Sequence, residues 1–256
     1  MVDGGLNLQV SGLTNQGLER SRNEDNCYAR SDGDLALLVV ADGMGGHRAG
    51  NVASSIAVEI AEETWQELGK AAPLPVGKAR SLVRSLLARA NRRILAESEK
   101  NPDNRGMGTT LTVGLLCGNR LTIGHVGDSR AYKIFDNNIY LLTKDHSLIE
   151  KLVDSGQVSP EDALNHPQRH VLTRALGVGD ELEIDITEQE VEPGSVLLLC
   201  TDGLTNMVRD DEILSFYNDN PDPDQLGSSL IDLANARGGY DNITVVIAAG
   251  IGGLLS

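Results

Sequence analysis

Two unbroken apolar runs, residues 35–41 (LALLVVA) and 195–201 (SVLLLCT), each stop at an Asp-Gly step, Asp42-Gly43 and Asp202-Gly203. Short β-rich runs bounded by turn residues read as buried strands. A carboxylate at the end of such a strand loses its water unless something positive meets it. Two further positions follow the plan: Asp128 closes residues 121–127 (LTIGHVG), and Asp241 stands in GGYDNIT just ahead of the apolar run 243–249. Asp-Gly is also a common turn signal and Asp a common helix cap, so any one of them reads equally well as local punctuation. The set does not, because carboxylates that converge repel one another without a counter-charge. No Lys or Arg adjoins Asp42, Asp202 or Asp241; Asp128 alone has one close by, Arg130. The pattern predicts a site for divalent metal.

At 256 residues with 40% hydrophobic content, the chain can bury a large core and is expected to form a single domain over residues 1–256. Lys and Arg total 22 against 37 Asp and Glu, a formal charge of −15, which opposes binding to nucleic acid or to an anionic membrane. Cys27, Cys117 and Cys200 are odd in number and widely spaced, with no CxxC or Cys/His cluster for zinc, and read as reduced thiols. The N-terminus lacks a charged-then-apolar signal pattern and no apolar run reaches membrane-spanning length, so a cytoplasmic protein is expected.

Strands are predicted at residues 6–13, 35–41, 109–117, 121–126, 131–135, 139–142, 182–191, 196–200 and 243–249, several joined by short turns that imply antiparallel hairpins. Val52, Ile56 and Ile60 share one face of a predicted helix over 51–68, and Leu82, Leu86 and Ala90, with Val83, Leu87 and Ile94, share one over 78–97. Further helices are expected at 146–155 and 223–237. Strands in hairpins with helices inserted in pairs argue for an α+β layered sandwich rather than βαβ units. Residues 147–179 are polar and broken by Gly and Pro, the composition of a flap over a site or of an ordinary surface excursion.

The segments GLERSRNED, VVADGMGGH, MGTTL, VGDSRAY, LTKDHS, LTRALG, LLLCTDGL and YDNITVV occur in this order over about residues 17–247. Together they resemble the metal-dependent type-2C protein phosphatase family in its bacterial form. The resemblance implies a four-layer α-β-β-α sandwich of two central, mainly antiparallel sheets, with a binuclear metal centre at one end. By the same resemblance Asp42 bridges both metals, the Gly43 carbonyl binds the second, Asp202 and Asp241 bind the first, and Asp25 holds metal-bound waters from outside. Arg20 then grips the substrate phosphate, and Asp128 with Asp202 matches the pair that can hold a third metal in bacterial members.

All-oxygen ligation by aspartates suits Mg²⁺ or Mn²⁺ rather than zinc, and two such ions can acidify a bridging water for direct attack on phosphorus. Cys200 is followed by Thr201-Asp202, not by the phosphate-cradling arginine turn of a cysteine phosphatase. Met44 stands where eukaryotic members of the family carry a histidine, and His47, three residues on, is the candidate general acid, with His146 and His166 behind it. The expected substrates are phosphoserine and phosphothreonine proteins, released in signalling opposite a cognate Ser/Thr kinase, with the enzyme a monomer. Two alternatives remain open from the letters alone: a metal-binding interaction protein without catalysis, which missing ligands would mark, and a hydrolase of small phosphomonoesters.

Overall fold

A computed structural model describes residues 8–45, 49–68, 77–163, 166–179 and 181–252. The chain opens with three strands, β1 (Gln9–Asn15), β2 (Asp25–Asp32) and β3 (Leu35–Met44), then two long helices, α1 (Ala49–Leu68) and α2 (Lys78–Lys100). A two-residue strand β4 (Gly108–Thr109) leads into β5 (Leu111–Cys117), β6 (Arg120–Val126), β7 (Arg130–Phe135) and β8 (Asn138–Leu141). Short helices α3 (Leu148–Asp154) and α4 (Pro160–Ala163) precede β9 (Asp185–Glu190) and β10 (Val196–Cys200). Helices α5 (Asp202–Thr205), α6 (Asp210–Asp219) and α7 (Pro223–Ala236) complete the set before the last strand, β11 (Ile243–Ala249).

Among the described residues every strand pairing is antiparallel. One sheet runs β1-β11-β10-β7-β8 and the other β2-β3-β5-β6-β9, with β4 beside β3. Successive side chains of a strand point to opposite faces, so a strand between two buried layers must be apolar at every position. Strand β3 divides in this way: Leu37, Val39 and Ala41 join the core under α1 and α2, while Ala36, Leu38 and Val40 join the core between the sheets. Strands β10 and β11 divide likewise, sending Leu198, Cys200, Val245 and Ile247 toward α7 and Leu197, Leu199, Val246 and Ala248 into the same inter-sheet core. Three cores separating four layers make the expected α-β-β-α sandwich, each fully buried Leu or Val contributing about 1.5–3 kcal/mol.

Strand β2 was not foreseen, because DNCYARSD carries neither a run nor a clean alternation of apolar residues. It lies at a sheet edge and pairs along its length with β3, from Asp25 opposite Asp42 to Asp32 opposite Leu35. The expected strand over 182–191 is confined to Asp185–Glu190. The three cysteines are free thiols, and among the described residues no helix is long and apolar enough to cross a membrane.

Candidate active site

The ends of β3 and β10, the β6–β7 turn and the start of β11 meet at one edge of the sandwich, around a cavity of about 960 Å³. Arg20, Asp42, Gly43, Asp128, Asp202 and Asp241 all line it, so the residues singled out from opposite ends of the chain share one space. Asp42 is fixed through its backbone: its N–H donates to Thr110 Oγ1 at 3.0 Å, and its carbonyl accepts from Thr109 Oγ1 at 2.9 Å and from the Thr110 N–H at 2.9 Å. Burial, with Asp25, Asp202, Asp128 and Asp241 nearby, drives the Asp42 carboxyl well above the usual range. Asp128 behaves alike, pushed up to about 8 by burial, Asp202 and Asp145.

Asp25 lies behind this surface and ties the two sheets together. Its Oδ2 accepts from Thr201 Oγ1 at 2.9 Å and Thr244 Oγ1 at 2.7 Å, both from the opposite sheet's side of the sandwich. Burial dominates its titration, against those two hydrogen bonds and with Asp202 and Asp241, and lifts it to about 7.

Asp202 opens α5 directly after β10, and Gly203 follows because a Cβ there would stand 1.9 Å from the Asn242 carbonyl oxygen. Asp202 Oδ2 accepts from Asn206 Nδ2 at 3.1 Å, but Oδ1 is buried without any hydrogen-bond partner. An orphaned carboxylate oxygen carries the full cost of lost hydration, and in a cluster of oxygen donors it is what a hard cation satisfies. The donor set thus fits Mg²⁺ or Mn²⁺. The side chains are not drawn in around a point: among the described residues no three His, Cys, Asp or Glu groups stand in a metal-holding arrangement. Like charges hold themselves apart, and Asp241 turns its Oδ2 to Arg20 Nη2 at 2.7 Å while Oδ1 accepts from the Asn242 N–H at 2.8 Å.

Two residues near the site find partners other than their neighbours along the chain. Arg130 does not neutralise Asp128 through an ion pair; its guanidinium forks onto Asp145 at 2.7–3.2 Å, just before residues 147–179 begin. His146 pairs with Asp185 rather than with its neighbour Asp145: Nδ1 accepts from the Gly127 N–H at 3.1 Å and Nε2 lies 3.1 Å from Asp185 Oδ2. The residue is 7% exposed, and its ring holds the chain just ahead of Asp128. His166 sits in a turn, accepting from the Gln168 N–H, and does not line the cavity. His47 lies outside the described residues.

The cavity residues not singled out from the letters include Asn242, Glu24 and His170. Asn242 donates to the carbonyls of Gln16 and Arg22 and accepts from the Glu24 N–H, all at 2.8 Å, and so pins the loop that presents Arg20. Glu24 lines the cavity beside Arg20, and His170, half exposed, faces Asp202 Oδ2 at 3.9 Å. Asn242 was legible in YDNIT, where only the aspartate was assigned; His170 carried no local signal.

A profile described as "Protein phosphatase 2C" matches residues 18–220, well over half of the chain. The chain belongs to the Protein phosphatase 2C family. It is 39% identical over 235 residues to the Serine/threonine phosphatase stp of Listeria monocytogenes, spanning 91% of this chain and 92% of that protein. To the Serine/threonine protein phosphatase PstP of Mycobacterium tuberculosis it is 40% identical over 95% of this chain, a match that spans 45% of PstP. The crystal structure of the Mycobacterium tuberculosis phosphatase PstP/Ppp superposes with a TM-score of 0.86 at 40% identity, covering 94% of this chain and 98% of that one. The PstP catalytic domain in complex with two manganese ions gives 0.83 at 38% identity, covering 94% and 97%. A relative of similar fold, the PstP catalytic domain, thus holds two manganese ions.

Proposed function

We propose that this type-2C phosphatase holds two divalent cations through Asp42, Asp202, Asp241 and the Gly43 carbonyl, with Asp25 behind them and Asp128 with Asp202 able to take a third. The chain is a metal-dependent Ser/Thr protein phosphatase using Mn²⁺ or Mg²⁺. The observation that carries the ligand assignment is the partnerless Asp202 Oδ1 in a wall of carboxylates held above their ordinary range. Bound there, such ions supply an acidified water as nucleophile and offset the charge of the phosphate.

The remaining work falls to the protein's own groups. Arg20, 54% exposed at its side chain, presents a planar fork for phosphate oxygens and trades its pairing with Asp241 for the substrate. Asn242 keeps the Arg20 loop in register, and the Asp25 clamp to Thr201 and Thr244 fixes the sheet ends from which the carboxylates project. His47 delivers the proton that the leaving serine or threonine oxygen requires. Residues 147–179 act as a flap: Lys151, Arg169, His170 and Leu172 line the cavity, the bridge Ser147 to Leu172 closes the segment on itself, and the bridge Thr109 to Leu176 ties it to β4. The substrates are phosphoproteins. The whole of residues 1–256 serves as one cytoplasmic, monomeric catalytic domain working opposite a Ser/Thr kinase.

The test is phosphate release from a phosphothreonine peptide with Mn²⁺, before and after Asp202→Asn. Wild type turns over only with metal and the variant loses at least about 100-fold in kcat/KM. Undiminished turnover in the variant would remove Asp202 from the site.

A further inference from the structure

The two most exposed large apolar side chains among the described residues are Leu18 and Tyr240, at 67% and 62%, and they are neighbours. The Leu18 N–H donates to the Gly239 carbonyl at 2.8 Å. Gly238 and Gly239, at φ +127° and +52°, turn the chain so that the Tyr240 ring folds back over Gly238, where a Cβ would lie 2.6 Å from the ring. A side chain at 239 would likewise press on Leu18, 3.0 Å from its Cγ. The bend thus builds an apolar shelf and holds it in water, an arrangement that marks an interaction surface when it adjoins a site.

It adjoins this one directly. Tyr240 lines the cavity and precedes Asp241; Leu18 lies two residues before Arg20, whose guanidinium meets Asp241 at 2.7 Å. A phosphate gripped by Arg20 sets the residue next to it in the substrate, one step of about 3.5 Å along the chain, on the side of the cavity where Tyr240 stands with Leu18 behind it. Val178, 54% exposed, adds a further apolar group to the same cavity.

The geometry points to a specificity subsite: Leu18 and Tyr240 take an apolar side chain directly beside the phosphorylated residue of the substrate. This rests on the phosphatase reading above. The occupant is apolar rather than cationic because Leu18 offers no electron-rich face, and only the tyrosine would attract a cation.

Phosphothreonine peptides carrying Leu, Gly or Lys immediately before or after the phosphothreonine, assayed with Mn²⁺, decide it. On one side of the phosphothreonine, wild type favours Leu over Gly by about fivefold in kcat/KM, below the roughly 10- to 200-fold of a closed apolar pocket because the shelf stays open to water. Leu18→Ser and Tyr240→Ser each bring that ratio toward one, while Tyr240→Phe keeps it. Equal rates for Leu and Gly on both sides, a preference for Lys, or a Leu preference that survives both serine variants overturns the subsite. Failure of wild type to release phosphate from every peptide strikes the phosphatase reading itself, and the subsite falls with it.

Discussion

Replacing Asp25 by Asn should stabilise the metal-free protein at alkaline pH while weakening metal binding. Asp25 is 4% exposed, and burial pushes its carboxyl up to about 7 against a reference of 3.8, a rise worth ~4 kcal/mol at 1.36 kcal/mol per pH unit. A raised carboxyl binds more protons folded than unfolded, so its contribution is neutral below about pH 4, grows unfavourable as pH climbs to about 7, and is constant above that. Asparagine is nearly the same shape, and its carbonyl can accept both the Thr201 and the Thr244 hydroxyls that Oδ2 accepts in the native protein. It removes the charge and keeps the clamp. Allowing for relaxation around the charged form, a gain of ~2 kcal/mol at pH 8 raises Tm by about 4–8 °C for a domain of this size, measured in EDTA. At pH 5 the native Asp25 is already protonated but the unfolded one is largely ionised, so the variant's advantage falls to roughly two-fifths of its pH 8 value, and the two melts coincide only below about pH 4. Calorimetric titration with Mn²⁺ at pH 8 then shows the variant binding about 10- to 100-fold more weakly, the usual loss for a group that supports a metal site from behind. A variant that melts below wild type at pH 8, or by the same margin at both pH values, would refute the claim that buried like charge dominates this site.

Two other perturbations separate the remaining roles. Arg130→Ala strands Asp145, 17% exposed at its side chain, and should cost ~2 kcal/mol, the buried-pair penalty reduced for partial exposure; thermal melts and faster proteolytic cutting within residues 147–179 check it. His47→Ala should lose at least about tenfold in kcat on a phosphothreonine peptide yet little on p-nitrophenyl phosphate, whose leaving group needs no proton; equal losses on both would assign His47 another task.

The ends of LALLVVA and SVLLLCT announced the site because burial on both faces is a local compositional demand: a strand with no polar face has to be covered twice, and a carboxylate at its tip must find a partner. The same reasoning read the antiparallel hairpins from their short turns. Strand β2 escaped it, since an edge strand has one buried ladder and tolerates the polar letters of DNCYARSD. The pairings of Arg130 with Asp145, of His146 with Asp185 and of Asn242 with three backbone groups of the Arg20 loop escaped it too. Periodicity and composition are properties of neighbours along the chain, so they determine which segments are buried and which residues cannot stay unpartnered. The choice of partner is made where β10 and β11 of one sheet face β3 of the other, across as many as 219 positions between Asp25 and Thr244, and only packing in three dimensions decides it.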